Sequence, residues 1–225
     1  MSKKNIILCF SSLRPSNYQV DKLDSRESNY KLALEWLLKA LPENWDIIYN
    51  DNTLEDLDEL KNGELRNRLI GMNTMLHKSN HGASNKGAGE HDMCKKSFLT
   101  INPEEYNWVT YFTARHIISN SLYFDRLEKE CEEYDCIMSN PDFDFLSDYK
   151  HLISAPNMYN DMLFSMKSNV FKNFVESIDV EYLKSKNKNS ENHLFEFVKN
   201  NNYKTLELES LGILRNDPTL GWHLV

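Results

Sequence analysis

Short apolar runs that each end in polar residues, separated by stretches of helical periodicity, constrain this chain more than any other feature of its sequence. NIILCF (5–10) leads into SSLRPSN, and WDIIY (45–49) into NDNT. MNTMLH (72–77) leads into the glycine-rich NHGASNKGAGEHDMCKKSF (80–98). Runs of this kind read as buried strands. Between the first two, Tyr30, Leu32, Leu34, Leu37, Leu38 and Leu41 recur at helical spacing after a Ser28 N-cap, and Pro42 stops them. Asn52 or Thr53 then opens an acidic amphipathic helix to about Leu69. The alternation predicts an α/β fold with a mostly parallel central sheet flanked by helices. Ligands of such sheets bind beyond the carboxyl ends of the strands. Those ends are Ser11–Arg14, Asn50–Asn52 and the glycine-rich stretch.

The second half reads less regularly. A helix is expected over Ala88–Phe98, then an aromatic strand, YNWVTYF (106–112), ending in TARH (113–116). A charged helix around Ser121–Glu133 precedes CIM (136–138) and the acidic segment SNPDFDFLSD. Residues 158–178 predict an amphipathic helix entered through a short strand, followed by a helix over Ser190–Asn200 and a tail containing LGILRND. No repeat or linker divides the 225 residues, so one domain is expected, with 40% hydrophobic residues to fill its core. The net charge of −8 argues against a nucleic-acid partner, which needs clustered Lys and Arg. No run approaches the ~18 apolar residues of a membrane span, and docking on a membrane face stays open. Cys9, Cys94, Cys131 and Cys136 contain no CxxC pair, which suggests a reducing, cytoplasmic setting.

Several groups could carry chemistry. His77, His81, Glu90, His91 and Cys94 are all zinc-ligand types, but their spacing matches neither HExxH nor paired CxxC. Asn85-Lys86-Gly87-Ala88-Gly89, ahead of a helix with Glu90 in its first turn, reads better as an anion site; a plain surface loop is the competing meaning. Asp142 and Asp144 could hold a divalent ion, or belong to a solvated acidic loop. Arg115 offers a permanent cation for phosphate or carboxylate, or a structural ion pair. Asp161, flanked by aromatics and methionine, suits a general base or a helix N-cap.

The order of these pieces resembles small GT-A-type glycosyltransferases of capsule, lipopolysaccharide or glycan assembly. The resemblance implies a nucleotide-sugar-binding half (1–116) and an acceptor half (117–225). Ser11, Arg14 and Asp51 would line the donor, with Asn85, Lys86, Gly87 and Glu90 on its ribose and diphosphate. Where the family carries DxD at the end of a strand, this chain has Thr113-Ala114-Arg115, followed by His116. Two ways of neutralising the leaving diphosphate follow. Asp142 and Asp144 would hold manganese or magnesium, or Arg115 and Lys86 would act without a metal. MYNDMLFSMKSNVF resembles the acceptor segment, which gives Asp161 the role of base and Glu191 that of a second carboxylate. The implied activity is hexosyltransferase-like, from a nucleotide-diphosphate sugar to a glycan or lipid-linked acceptor. A metal-dependent hydrolase or nucleotidyltransferase built on Asp142 and Asp144, and a non-catalytic carbohydrate-binding subunit, remain alternatives.

Overall fold

A computed structural model describes residues 3–15, 20–79, 81–130, 132–139, 159–217 and 221–224. Its main sheet has seven strands in the order β3-β2-β1-β4-β7-β6-β8. These are β1 Lys4–Ser11, β2 Trp45–Asp51, β3 Thr74–Leu76, β4 Tyr106–Thr113, β6 Cys136–Ser139, β7 Leu163–Lys167 and β8 Thr205–Leu208. β1 is parallel to β2 and β4, and β3 to β2. β7 alone runs against its neighbours β4 and β6, while β8 is parallel to β6. The expected mostly parallel sheet is therefore present, with one reversed strand. A small antiparallel sheet joins β5 Ile117–Ile118, β9 Ile213–Asp217 and β10 Gly221–Leu224.

Alternate residues of β1 go to opposite faces, as a strand's pleat requires. Ile7 and Cys9 join one apolar cluster, packed with α1 (Val20–Ala40), α2 (Gly63–Ile70) and α5 (Leu122–Glu130) through residues such as Leu34, Leu65 and Phe124. Ile6, Leu8 and Phe10 join the other. That face is covered by α4 (Lys86–Phe98), α6 (Ser168–Ser177) and α8 (Ser190–Asn200) through Met93, Phe171, Phe174 and Phe197. Both faces being covered explains why β1 is apolar throughout rather than alternating. No helix among the described residues is long and apolar enough to cross a membrane.

Local hydrogen bonds account for the departures from expectation. The single helix expected from Asn52 or Thr53 to Leu69 is two pieces, a 3-10 turn at Leu57–Glu59 and α2. Asp56 caps the first in a capping box with Glu59, and Asn62 caps the second, so each piece has its own start signal. Ser28 is not a cap but lies inside α1, where its hydroxyl donates to the Asp24 carbonyl at 3.0 Å. The helix expected within 158–178 is α6, which begins at Ser168, and the short strand expected at its entry is β7.

α4 begins at Lys86, two residues before the expected start, because the Asn85 side chain caps it and accepts from the Ala88 N–H at 2.9 Å. Asn85 Nδ2 also donates to the Lys188 carbonyl at 3.1 Å, tying this end of α4 to the loop between α7 (Val180–Ser185) and α8. The glycines of the stretch are helical and permit close packing. A Cβ on Gly87 would stand 2.6 Å from the Ser190 nitrogen, and one on Gly89 would stand 2.6 Å from the Gly82 Cα.

Gly87→Ala should therefore push α4 and α8 apart and cost about 1–3 kcal/mol in urea unfolding. Gly63→Ala, where a new Cβ meets nothing within 4 Å, is the matched control and should be neutral or mildly stabilising. Equal, small effects in the two variants would show that the helices yield freely at Gly87.

Candidate functional site

The carboxyl edge of the sheet collects residues from far along the chain. Register places Ser11 beside Asp51 and Phe10 beside Thr113. Because β7 is reversed, its first residues reach the same edge: Leu163 pairs with Phe112, and Asp161 lies two residues earlier.

Asp51 is fully buried there, with both oxygens engaged. Oδ2 accepts from the Ser11 hydroxyl and the Leu13 N–H, each at 2.7 Å. Oδ1 accepts from the Thr53 N–H and hydroxyl, each at 2.7 Å, and from the Leu54 N–H at 2.9 Å. Arg14 is likewise turned inward. Its guanidinium donates to the Glu59 carbonyl and to Oε1 of the fully buried Glu27 at 3.4 Å. Glu27 Oε2 accepts from the Lys61 and Asn62 N–H groups at 3.0 and 2.7 Å. Ser11, Asp51 and Arg14 were expected to face a donor. Their polar atoms instead bind one another's loops and hold the rim from within. Asn85, committed to capping, is in the same position.

Across this rim, α4, α8 and the approach to β7 bring three carboxylates together. Ser190, 2% exposed, places its hydroxyl against Asp161 Oδ2, 3.4 Å from Glu90 Oε2 and 3.3 Å from Glu191 Oε2. Glu90 and Asp161 are buried and Glu191 is half-buried. Lys86 Nζ lies 3.3 Å from Glu90 Oε1 with most of its side chain in solvent. Burial, reinforced by the charges of Asp161 and Glu191, pushes the Glu90 carboxyl up to about 7 against the pull of Lys86 and Arg115. Burial and Asp161 also raise Glu191. Lys86 is raised in turn, chiefly by Glu90. Arg115 Nε donates to Nε2 of the fully buried His116 at 3.2 Å, which fixes the guanidinium and makes that ring nitrogen an acceptor. Beneath the carboxylates, the Tyr111 ring stacks between Phe10 and Phe164 with centroids 4.5 and 4.8 Å apart.

Thus Lys86, Glu90, Arg115, Asp161 and Glu191, scattered in sequence, share one electrostatic site. Sequence patterns do not point to Ser190 or Glu27, because nothing local marks contacts that reach 100 positions from Ser190 to Glu90, or 34 and 35 from Glu27 to Lys61 and Asn62. The zinc-type residues diverge. His91 Nε2 lies 2.9 Å from Nδ1 of His193 on α8, Cys94 is in the core, and His77 meets Asn50 Oδ1 at 3.1 Å. Among the described residues no group of three His, Cys, Asp or Glu side chains is arranged to hold a metal ion. Asp142 and Asp144 lie outside the described residues. The end of β4, where the resemblance implies metal-binding carboxylates, carries the Arg115 cation, so these residues do not fit a metal.

Two buried groups give stability opposite dependences on pH. Glu90 keeps its proton in the fold up to about 7, whereas the unfolded chain releases it near 4.5, so its contribution is lost as pH rises across that window. His91 is driven down to about 3 by burial and by His193, against 6.5 when unfolded, so stability falls as pH drops below 6.5. Glu90→Gln should gain on the parent by on the order of 1–3 kcal/mol between pH 5 and pH 8 in urea unfolding. His91→Gln should flatten the acid limb instead. Parallel pH curves for parent and variants would assign the dependence to other groups.

No protein-family model matches the chain, and no curated protein matches it in sequence. Solved structures do match in fold. A mannosyltransferase from Pyrobaculum calidifontis, in complex with GDP-Man and Mn2+, superposes with a TM-score of 0.60 at 8% identity, over 94% of this chain and 56% of that one. A protein assigned as a nucleotide-diphospho-sugar transferase from Desulfovibrio desulfuricans G20 gives 0.51 at 12% identity, over 92% and 80%. Mouse xyloside xylosyltransferase 1 gives 0.50 at 8% identity, over 92% and 84%. Identities this low speak for architecture alone. The seven-stranded sheet, with its helices on both faces, is the GT-A-like fold of nucleotide-sugar transferases.

Proposed function

We propose that this chain is a glycosyltransferase that moves a sugar, of hexosyl type, from a nucleotide-diphosphate sugar to an acceptor hydroxyl on a glycan or lipid-linked substrate. The observation that supports it is the meeting of Lys86, Arg115 and three carboxylates at the carboxyl edge of a GT-A-like sheet. Residues 1–116 supply the donor side, with the rim held by Ser11, Arg14 and Asp51, and the capped start of α4 presenting Lys86. Residues 117–225 supply the acceptor side with Asp161 and Glu191.

In this reading the acceptor oxygen forms a bond to the sugar's anomeric carbon as the bond from that carbon to the phosphate oxygen breaks. The diphosphate leaves with the bonding electron pair. Its charge is met by Lys86 and Arg115, and stabilisation of developing charge of this kind is usually the largest catalytic contribution. The acceptor's proton passes to the Asp161–Glu191 pair. Of the two, Glu191 is the more exposed, and its raised proton affinity suits a base working near neutral pH. The Cys9, Cys94 and Cys136 thiols are free and buried, in keeping with a cytoplasmic setting.

Thermal-shift measurements with a panel of nucleoside diphosphates, each with and without manganese, test the donor side. At least one should stabilise the protein without metal, and Arg115→Ala should abolish that shift. Donor hydrolysis should fall about 10²- to 10⁴-fold in Glu191→Gln or Asp161→Asn with the nucleotide shift retained. Stabilisation by no nucleotide would sink the transferase reading in favour of a carbohydrate-binding role.

A further inference from the structure

The carboxylate cluster poses a proton-counting problem that the transferase reading does not by itself answer. Ser190 Oγ has one hydrogen and three carboxylate neighbours: Asp161 Oδ2, the nearest, Glu191 Oε2 at 3.3 Å and Glu90 Oε2 at 3.4 Å. Its hydrogen can serve one of them. Two buried, ionised carboxylates facing the same hydroxyl without a proton between them would repel strongly in a poorly solvated pocket. Among the described residues, the groups facing this hydroxyl are few. Glu90 and Lys86 come from α4, Glu191 from α8, Asp161 from the approach to β7, and Arg115 and Tyr111 from the end of β4. His193, further along α8, is engaged with His91 and Ser177 instead.

We infer that Ser190 is a positioning residue, whose hydroxyl accepts a hydrogen bond from a protonated Glu90 while donating its own hydrogen to Asp161, leaving Glu191 to receive the acceptor's proton. The arrangement is a chain, Glu90 O–H to Ser190 O–H to the Asp161 carboxylate. It uses one lone pair and the single hydrogen of the serine, so each buried oxygen in it has a partner. Charge also balances. Three carboxylates with one proton carry −2, and Lys86 with Arg115 carries +2. Burial of the Glu90 carboxyl and its upward displacement agree with a retained proton. Gly87 makes the arrangement sterically possible, because any side chain there would strike the Ser190 backbone nitrogen.

The inference rests on the transferase reading for its catalytic meaning, but its proton placement can be tested without turnover. Carboxyl-carbon NMR titration, assigned with Glu90→Gln, should show Glu90 in the full-length protein titrating near 7. Ser190→Ala should move that midpoint down, toward the ordinary carboxylate range, because the neutral carboxyl loses its acceptor. A hydroxyl that merely filled space would give the opposite sign, since removing it leaves Glu90 in more apolar surroundings. Ser190→Thr keeps the hydroxyl and should restore the parental midpoint. In the same proteins, kcat for donor hydrolysis should drop about tenfold in Ser190→Ala with KM for donor unchanged, and recover in Ser190→Thr. A Glu90 midpoint near 4 in the parent, or one that rises or stays fixed in Ser190→Ala, overturns the inference. Absence of nucleotide binding and turnover in the parent, with the expected titrations, overturns the transferase reading and leaves the proton chain standing.

Discussion

An ionised carboxylate fully enclosed at the end of a sheet is unfavourable by several kcal/mol unless donors surround it, and Asp51 is surrounded. Five donors from two loops converge on its two oxygens. The β1 loop supplies Ser11 and Leu13; the β2 loop supplies Thr53 and Leu54. Removing any loop donor weakens the grip on the carboxylate, and removing the carboxylate takes a partner from all five donors, of which the Ser11 hydroxyl also reaches the Asn50 carbonyl at 2.9 Å. This mutual dependence fixes two connections that would otherwise be free to wander. The Arg14–Glu27 pair extends the fixation outward, because Glu27 also holds the N–H groups that lead into α2.

The other half of the rim is fixed by steric closeness rather than by charge. α4 meets the start of α8 at Gly87 with no room for a methyl group, and Asn85 ties the same helix end to Lys188. Only at that separation does Ser190 reach Glu90 on one side and Asp161 on the other. Packing thus sets the distances on which the electrostatics depend. The His91–His193 contact and the Phe174 ring against both imidazoles continue the α4–α8 seam into the core, where the histidines are held neutral by burial.

How much of this the sequence discloses depends on the range of the interactions concerned. Apolar runs and helix stop signals are local, so NIILCF, WDIIY, YNWVTYF and the helix at Ser190–Asn200 read correctly, and the layered α/β architecture follows from them. Competing caps are local too, but Asp56 and Asn62 divide a helix that hydrophobic spacing alone would run together. The reversal of β7 is invisible, because MLFSMK carries the same apolar signature in either direction. At the site, Asp161 stands out by residue type and surroundings, and Glu191 through the family resemblance alone. That they meet Glu90 through Ser190 is a fact of three-dimensional packing. The inward roles of Asp51 and Arg14 are hidden for the same reason: a polar residue at a strand end looks alike whether it faces a ligand or a neighbouring loop.

Arg115 at the end of β4 changes what kind of electrostatics this edge of the sheet can offer. A carboxylate pair there creates negative charge that must recruit a cation before it can face a phosphate. An arginine brings permanent positive charge, is weakly hydrated and presents a planar fork of donors. Its Nε is already committed to His116, so the ring holds the group's orientation at little further entropic cost on binding. Lys86 contributes differently, as a largely exposed point charge whose ion-pair partner among the described residues is Glu90. An anion arriving between the two cations would draw Lys86 away from Glu90. The carboxyl would then hold its proton more tightly, because the cation that had opposed protonation is shared. Anion binding and protonation of Glu90 are therefore coupled through one lysine, over the length of a single helical turn.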